Sequence, residues 1–116
     1  MSRIITAERR QQIAEARAAD PDSLGPMLGE MVVEGNIPIA AVAELLSVSD
    51  VTVYRWMYGT VKPIDADKIV KLKRFLTVLR KAKRARALPL SGSIKARIQA
   101  VGRLVLAHRP APKPAE

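Results

Sequence analysis

The chain has 116 residues, a net charge of +9, no cysteine and a single histidine. This suits one small domain, or one domain with a tail, and excludes a disulfide framework, a thiolate metal site and a cysteine nucleophile. No apolar run approaches ~18 residues, so no transmembrane helix is expected; the opening stretch Met1–Arg10 has no apolar segment long enough for a signal peptide, and a cytoplasmic setting is the natural expectation.

Almost every segment reads as helix, and no stretch alternates with period two long enough for a sheet, which predicts an all-α bundle of about five to six helices. The first spans Ala7–Ala19 with Thr6 as N-cap. Its apolar content is Ile13 and alanines, so it is expected to dock weakly or to stand off as an arm (residues 1–22). Asp20-Pro21-Asp22 is a break. Asp22 or Ser23 then caps a helix running to about Val33, with Leu24, Leu28, Met31 and Val32 at helical spacing and Gly25-Pro26 in its first turn, where proline is tolerated. Gly35-Asn36 terminates it. Short helices follow at Ile39–Leu46 and Asp50–Tyr58, separated by Ser47-Val48-Ser49, and Gly59 ends the second.

Pro63 punctuates the chain, and Asp65 caps a long helix from Ala66 to about Ala85. Its residues Ile69, Leu72, Phe75, Leu76, Leu79 and Ala82 form one stripe. A last helix, Ile94–Ala107, is capped by Ser93 or Ser91 and carries the stripe Ile94, Ile98, Val101, Leu104, Val105. The domain reading is therefore 1–22, then 23–88 with the long helix, then an amphipathic helix within 89–109, and a proline-rich tail, 110–116, expected to be disordered. His108, next to that tail, reads as a solvated helix-end residue, too isolated for a histidine base or a histidine metal cluster.

Charge is unevenly placed. Residues 1–22 sum to zero (four Arg, four acids) and residues 23–48 to −3 (Glu30, Glu34, Glu44). Residues 49–62 sum to +1 (Arg55 and Lys62 against Asp50), 63–88 to +7 (nine basic, two acidic) and 89–116 to +4 (five basic, one acidic). A positive field in the second half points to a polyanion partner, most simply nucleic acid. The run Lys71, Lys73, Arg74, Arg80, Lys81, Lys83, Arg84, Arg86 reads either as a solvated helix face or as a surface that neutralises phosphate or grips RNA or another acidic partner. Its excess is larger than solubility requires.

Two helices of about eight residues joined by a three-residue turn form a helix-turn-helix pattern. A small residue, Ala43, stands where the helices must approach. Val42, Leu46, Val48, Val53 and Trp56 fall at inward spacings, and Ser49 caps the second helix so that its N-terminal amides face outward, where they suit a phosphate or a base edge.

The run Ile37-Pro-Ile-Ala-Ala-Val-Ala43-Glu-Leu-Leu46-Ser-Val48-Ser49-Asp-Val-Thr-Val53-Tyr-Arg-Trp56-Met-Tyr-Gly59-Thr-Val-Lys-Pro63 carries a resemblance of residues 24–76 to the lambda-repressor/Cro-type (XRE-like) helix-turn-helix family of phages and bacteria. Two positions depart from that pattern: Ser47 replaces the turn glycine, and Ile39 replaces the glutamine that opens the first helix and often contacts phosphate. The resemblance covers a little under half of the chain. It implies a lambda-repressor-like core, with extra helices at both ends, whose second motif helix, about Asp50–Tyr58, enters the major groove of double-stranded DNA in a bacterial or phage-infected cell.

At ~100° per residue, Val53, Trp56 and Met57 share the inward face of that helix, while Val51, Arg55 and Tyr58 face outward with Thr52 and Tyr54 beside them. Arg55 is the leading base reader, because arginine can bond guanine O6 and N7 together; Val51 can pack on a thymine methyl. Asp50 either accepts from cytosine N4 or stabilises the helix N-terminus. Tyr54 and Tyr58 cannot both share the Trp56 face, so at least one is expected exposed, either as rim packing or with its hydroxyl on phosphate. Thr52 and Lys62 are further phosphate contacts, and Ser49 completes the set.

The reading that follows is a sequence-specific DNA-binding transcriptional regulator of the repressor/Cro type, with neither cofactor nor small-molecule ligand nor metal. Two alternatives stay open: a DNA-packaging component resembling a small terminase subunit, and a protein-binding adaptor, which the net −2 of residues 23–62 keeps in view (Arg55 and Lys62 against Glu30, Glu34, Glu44 and Asp50). An enzyme is not expected, since no nucleophile–base or metal constellation is visible. The C-terminal stripe must be buried. It can fold back on its own domain or pair with a second copy, and a homodimer would set two recognition helices ~34 Å apart.

Overall fold

The structure, a computed structural model, describes residues 6–108, with the side chain of His108 excepted. The expected disordered tail 110–116, the solvation of His108 and the part of the arm before Thr6 lie outside the described residues. The described residues form six helices: α1 Ala7–Ala19, α2 Leu24–Gly35, α3 Ile39–Leu46, α4 Asp50–Met57, α5 Ala66–Arg84 and α6 Ile94–His108. The all-α bundle expected from the periodicity is thus present, and among the described residues there is no strand.

The helix starts follow from capping chemistry. Thr6 Oγ1 accepts from the Arg9 amide at 3.2 Å, Ser49 Oγ from that of Thr52 at 3.2 Å, Asp65 Oδ1 from that of Asp67 at 2.9 Å and Ser93 Oγ from that of Ala96 at 3.1 Å. Ser23 occupies the cap of α2 without a side-chain hydrogen bond. The ends of α2, α3 and α5 share one device, a residue in the left-handed region: Asn36 (φ 54°), Ser47 (φ 56°) and Arg86 (φ 60°). Beyond each, the chain turns back to satisfy a carbonyl inside the helix: Ile37 N donates to Val32 O at 3.0 Å, Val48 N to Ala43 O at 3.0 Å and Ala87 N to Ala82 O at 2.9 Å. This lets α2 run two residues past Val33, through Gly35.

Ser47 holds a backbone conformation that costs an L-residue roughly 1–2 kcal/mol. Glycine would relieve that cost but would lose more freedom on folding, by about 0.5–1 kcal/mol. Ser47→Gly is therefore expected to leave stability unchanged or raise it by up to ~1.5 kcal/mol. A urea midpoint below that of the parent would show that the Ser47 side chain supports the turn.

One core serves all six helices. It gathers Ile13 from α1, Leu28 and Val32 from α2, Val42 and Leu46 from α3, Val53, Trp56 and Met57 from α4, Leu72, Phe75, Leu76, Val78, Leu79 and Ala82 from α5, and Val101 and Leu104 from α6. Burial of each large side chain contributes about 1.5–3 kcal/mol. The last helix packs on α5 and α3. Val101 and Leu104 are 1% and 9% exposed, so the middle of the stripe packs on its own chain, whereas Ile94 at its start is 38% exposed.

Of the two expectations for α1, a docked helix or an arm, the structure has the docked helix. The helix lies along α2 with Ile13 only 3% exposed. Its contact surface was hard to read because it is made of small residues. A Cβ added at Gly29 would lie 3.0 Å from Ile13 Cγ2, and one added at Gly59 would lie 3.0 Å from Ala16 Cβ. Ion pairs Arg17–Glu30 (3.6 Å) and Lys62–Asp20 (3.3 Å) fasten the rim. The Lys62–Asp20 pair is solvent-exposed and contributes little, whereas Arg17 of the other pair is half-buried.

Candidate nucleic-acid interface

The α3–turn–α4 unit is held from inside. Ala43 is buried at the crossing, Val42 and Val53 are fully buried, and Trp56 and Met57 close the far end of α4 against α2. These inward residues are the ones assigned by spacing, together with Leu46 and the half-buried Val48. Locked on one side, α4 turns its other side to solvent.

Ser49 sits at the cap, and its Oγ also lies 3.0 Å from Thr52 Oγ1. Asp50 is exposed in the first turn, Val51 is 43% exposed, Thr52 is half-buried and Arg55 is exposed. Among the described residues the amides of Asp50 and Val51 meet no acceptor, as expected at a helix start. Residues 49–55 thus bring together a helix N-terminus, a hydroxyl pair, one carboxylate, one apolar side chain and one guanidinium. Among the described residues no carboxylate pairs with Arg55. The carbonyl of Arg55 accepts from Thr60 N (3.1 Å) and Val61 N (3.3 Å), which ties the following loop to the end of the helix.

The tyrosines do not match the sequence reading. Tyr54 is 8% exposed, buried rather than beside the outward face, and Tyr58 is half-buried. Their rings stack at 5.8 Å, and the Arg9 guanidinium of α1 lies 4.7 Å from the Tyr58 ring centroid. Tyr58 thus meets α1 through Arg9, and Tyr54 lies against Tyr58. Neither ring is a free surface for phosphate, and α4 itself ends at Met57, with Tyr58 as its C-cap.

Lys62 lies in the loop after α4, paired with Asp20 across the α1–α2 turn. Its side chain stays 70% exposed, and a pair this exposed exchanges partners at little cost. A residue missed in the sequence is Lys68. It occupies the first turns of α5, yet its Nζ donates to Ser47 O at 3.2 Å. That puts a cation on the turn leading into α4. Only the tertiary crossing of α5 over α3 reveals it, because residues 47 and 68 are 21 apart in sequence.

Among the described residues no three His, Asp or Glu side chains group to hold a metal ion, and no helix is long and apolar enough to cross a membrane. Comparison with protein-family models, with curated proteins and with solved structures returned no match.

Proposed function

We propose that this chain is a sequence-specific double-stranded DNA-binding regulator of the repressor/Cro type, reading the major groove with the first two turns of α4. The observation that carries this reading is the division of α4 into two faces. Val53, Trp56 and Met57 are locked in the core, whereas Ser49, Asp50, Val51 and Arg55 lie together in solvent at a capped helix start. Such an end suits phosphate at its amides and base edges at its side chains. Lys68 beside the turn and Lys62 in the following loop add cations where flanking phosphates would run. The resemblance of residues 37–63 to the lambda-repressor/Cro family supports the same orientation.

Selecting bound sequences from a random duplex pool is the experiment that tests it. Enrichment of a defined motif is the expected result, and a pool that stays random after repeated rounds refutes sequence-specific binding. With the selected site in hand, Arg55→Ala is expected to weaken binding by ~1–3 kcal/mol and relax preference at one base pair, with the melting temperature retained. Equal affinity of variant and parent for that site would remove Arg55 as a base reader. Size in solution separates the regulator from a packaging component, which would assemble as a ring.

A further inference from the structure

The C-terminal half of α5 carries more positive charge than the fold uses. Lys71 pairs with Asp67 at 3.5 Å and Lys83 with Glu34 at 3.1 Å, and one Arg80 nitrogen rests on Met27 Sδ. Lys81, Arg84 and Arg86 are exposed, and among the described residues none of them has a carboxylate partner. One or two cations complement a helix C-terminus. Here Arg80, Lys81, Lys83, Arg84 and Arg86 crowd the end, and like charges three or four residues apart repel. Arg86 adds a second cost, since it stands at φ 60° in a helix-ending position that glycine favours. The end of α5 is thus built against its own local stability.

Its position is equally telling. The start of α5 touches the turn before α4 through Lys68 and Ser47. Its far end leads into Leu90, which donates to Gly35 O at 2.8 Å and accepts from Asn36 Nδ2 at 2.9 Å, at the opposite end of α3. At about 1.5 Å per residue, Arg84 lies about 24 Å along the helix from Lys68. Phosphates flanking a groove occupied by the start of α4 are therefore not the natural partners of this cluster.

We propose that Arg80, Lys81, Arg84 and Arg86 form a second binding surface, which takes the sugar–phosphate backbone of double-stranded DNA away from the stretch read by α4. A partner protein would need apolar or aromatic anchors. The exposed residues of this segment are instead basic, apart from Ala85, which fits a ligand recognised by charge alone. A chain engaging backbone at both places either bends one duplex around itself or bridges two segments. The choice of DNA as the polyanion rests on the reading of α4 above.

The test is the salt dependence of binding to a random-sequence 30-base-pair duplex. It compares the full chain with the triple variant Lys81→Gln, Arg84→Gln, Arg86→Gly. Each neutralised phosphate contact removes about 0.9 from the slope of log affinity against log salt, so the triple variant should be shallower by about two to three. Its melting temperature should not fall, because the left-handed residue becomes glycine. Arg86→Gly alone should lower the slope by about one. An unchanged slope in the folded triple variant overturns the proposal. So does polyglutamate competing as well as the duplex at equal charge, which would assign the surface to an acidic protein. Arg55→Ala, measured in parallel, reports on α4 separately: if it leaves sequence preference intact while the triple variant loses slope, the α4 reading fails and the second surface stands.

Discussion

Trp56→Ala is expected to destabilise the protein by about 3–5 kcal/mol, the cost of emptying a large aromatic site in a packed core. Trp56 is 5% exposed and stands on the face of α4 that meets α2. For a domain of this size the loss corresponds to a fall in melting temperature of more than about 10 °C. Total stability of about 5–15 kcal/mol leaves the variant folded only marginally. The effect on DNA binding should follow the folded fraction and nothing more. A variant with an unchanged melting temperature and lost DNA binding would mean that the two faces of α4 have been assigned the wrong way round.

The second large effect is expected at Gly25, where no side chain can be fitted. A Cβ there would lie 2.2 Å from the backbone carbonyl oxygen of Trp56 and 2.7 Å from its carbon. Backbone cannot swing aside as a flexible side chain can, so Gly25→Ala must push α2 and α4 apart. The expected cost is about 3 kcal/mol, at the upper end of over-packing. Chemical denaturation of Gly25→Ala beside the parent checks this, and a midpoint equal to the parent's would show that the α2–α4 crossing accepts a methyl group without cost.

Much of the fold was legible because its helix boundaries are written in local chemistry. Thr6, Ser49, Asp65 and Ser93 are short polar side chains placed where an orphan amide needs an acceptor, and each accepts one. The inward set of α3 and α4 was legible for a similar reason, since Val42, Leu46, Val53 and Trp56 are large apolar side chains at helical spacing. Whether α1 docks or stands off was not. Its contacts run through Ile13, Ala16, Gly29 and Gly59, and close approach of small residues leaves almost no signal in an apolar pattern. The placement of the tyrosines was not legible either, because Tyr54 stacks on Tyr58 and Tyr58 meets Arg9 of α1, contacts that helical spacing alone does not show. Lys68 escaped for another reason: its nearness to Ser47 is a product of tertiary crossing, and the basic run that drew attention began three residues later, at Lys71.

The same distinction applies to the candidate interface. Outward positions on α4 can be derived from helical geometry, and Arg55, Val51, Asp50 and Ser49 do lie in solvent. Which of the nine basic residues in 63–88 are held in ion pairs cannot be read from charge counts; the structure shows Lys71 on Asp67 and Lys83 on Glu34.

The most direct test of the central claim is a backbone amide titration by NMR, with the selected duplex added to the labelled full chain. The account predicts that the largest shifts fall on residues 49–55, with Lys62 and Lys68 next, while the buried side of α4 at Val53 and Trp56 moves less than Asp50, Val51 and Arg55. Shifts confined to the C-terminal end of α5, with residues 49–55 unmoved at saturation, would contradict it.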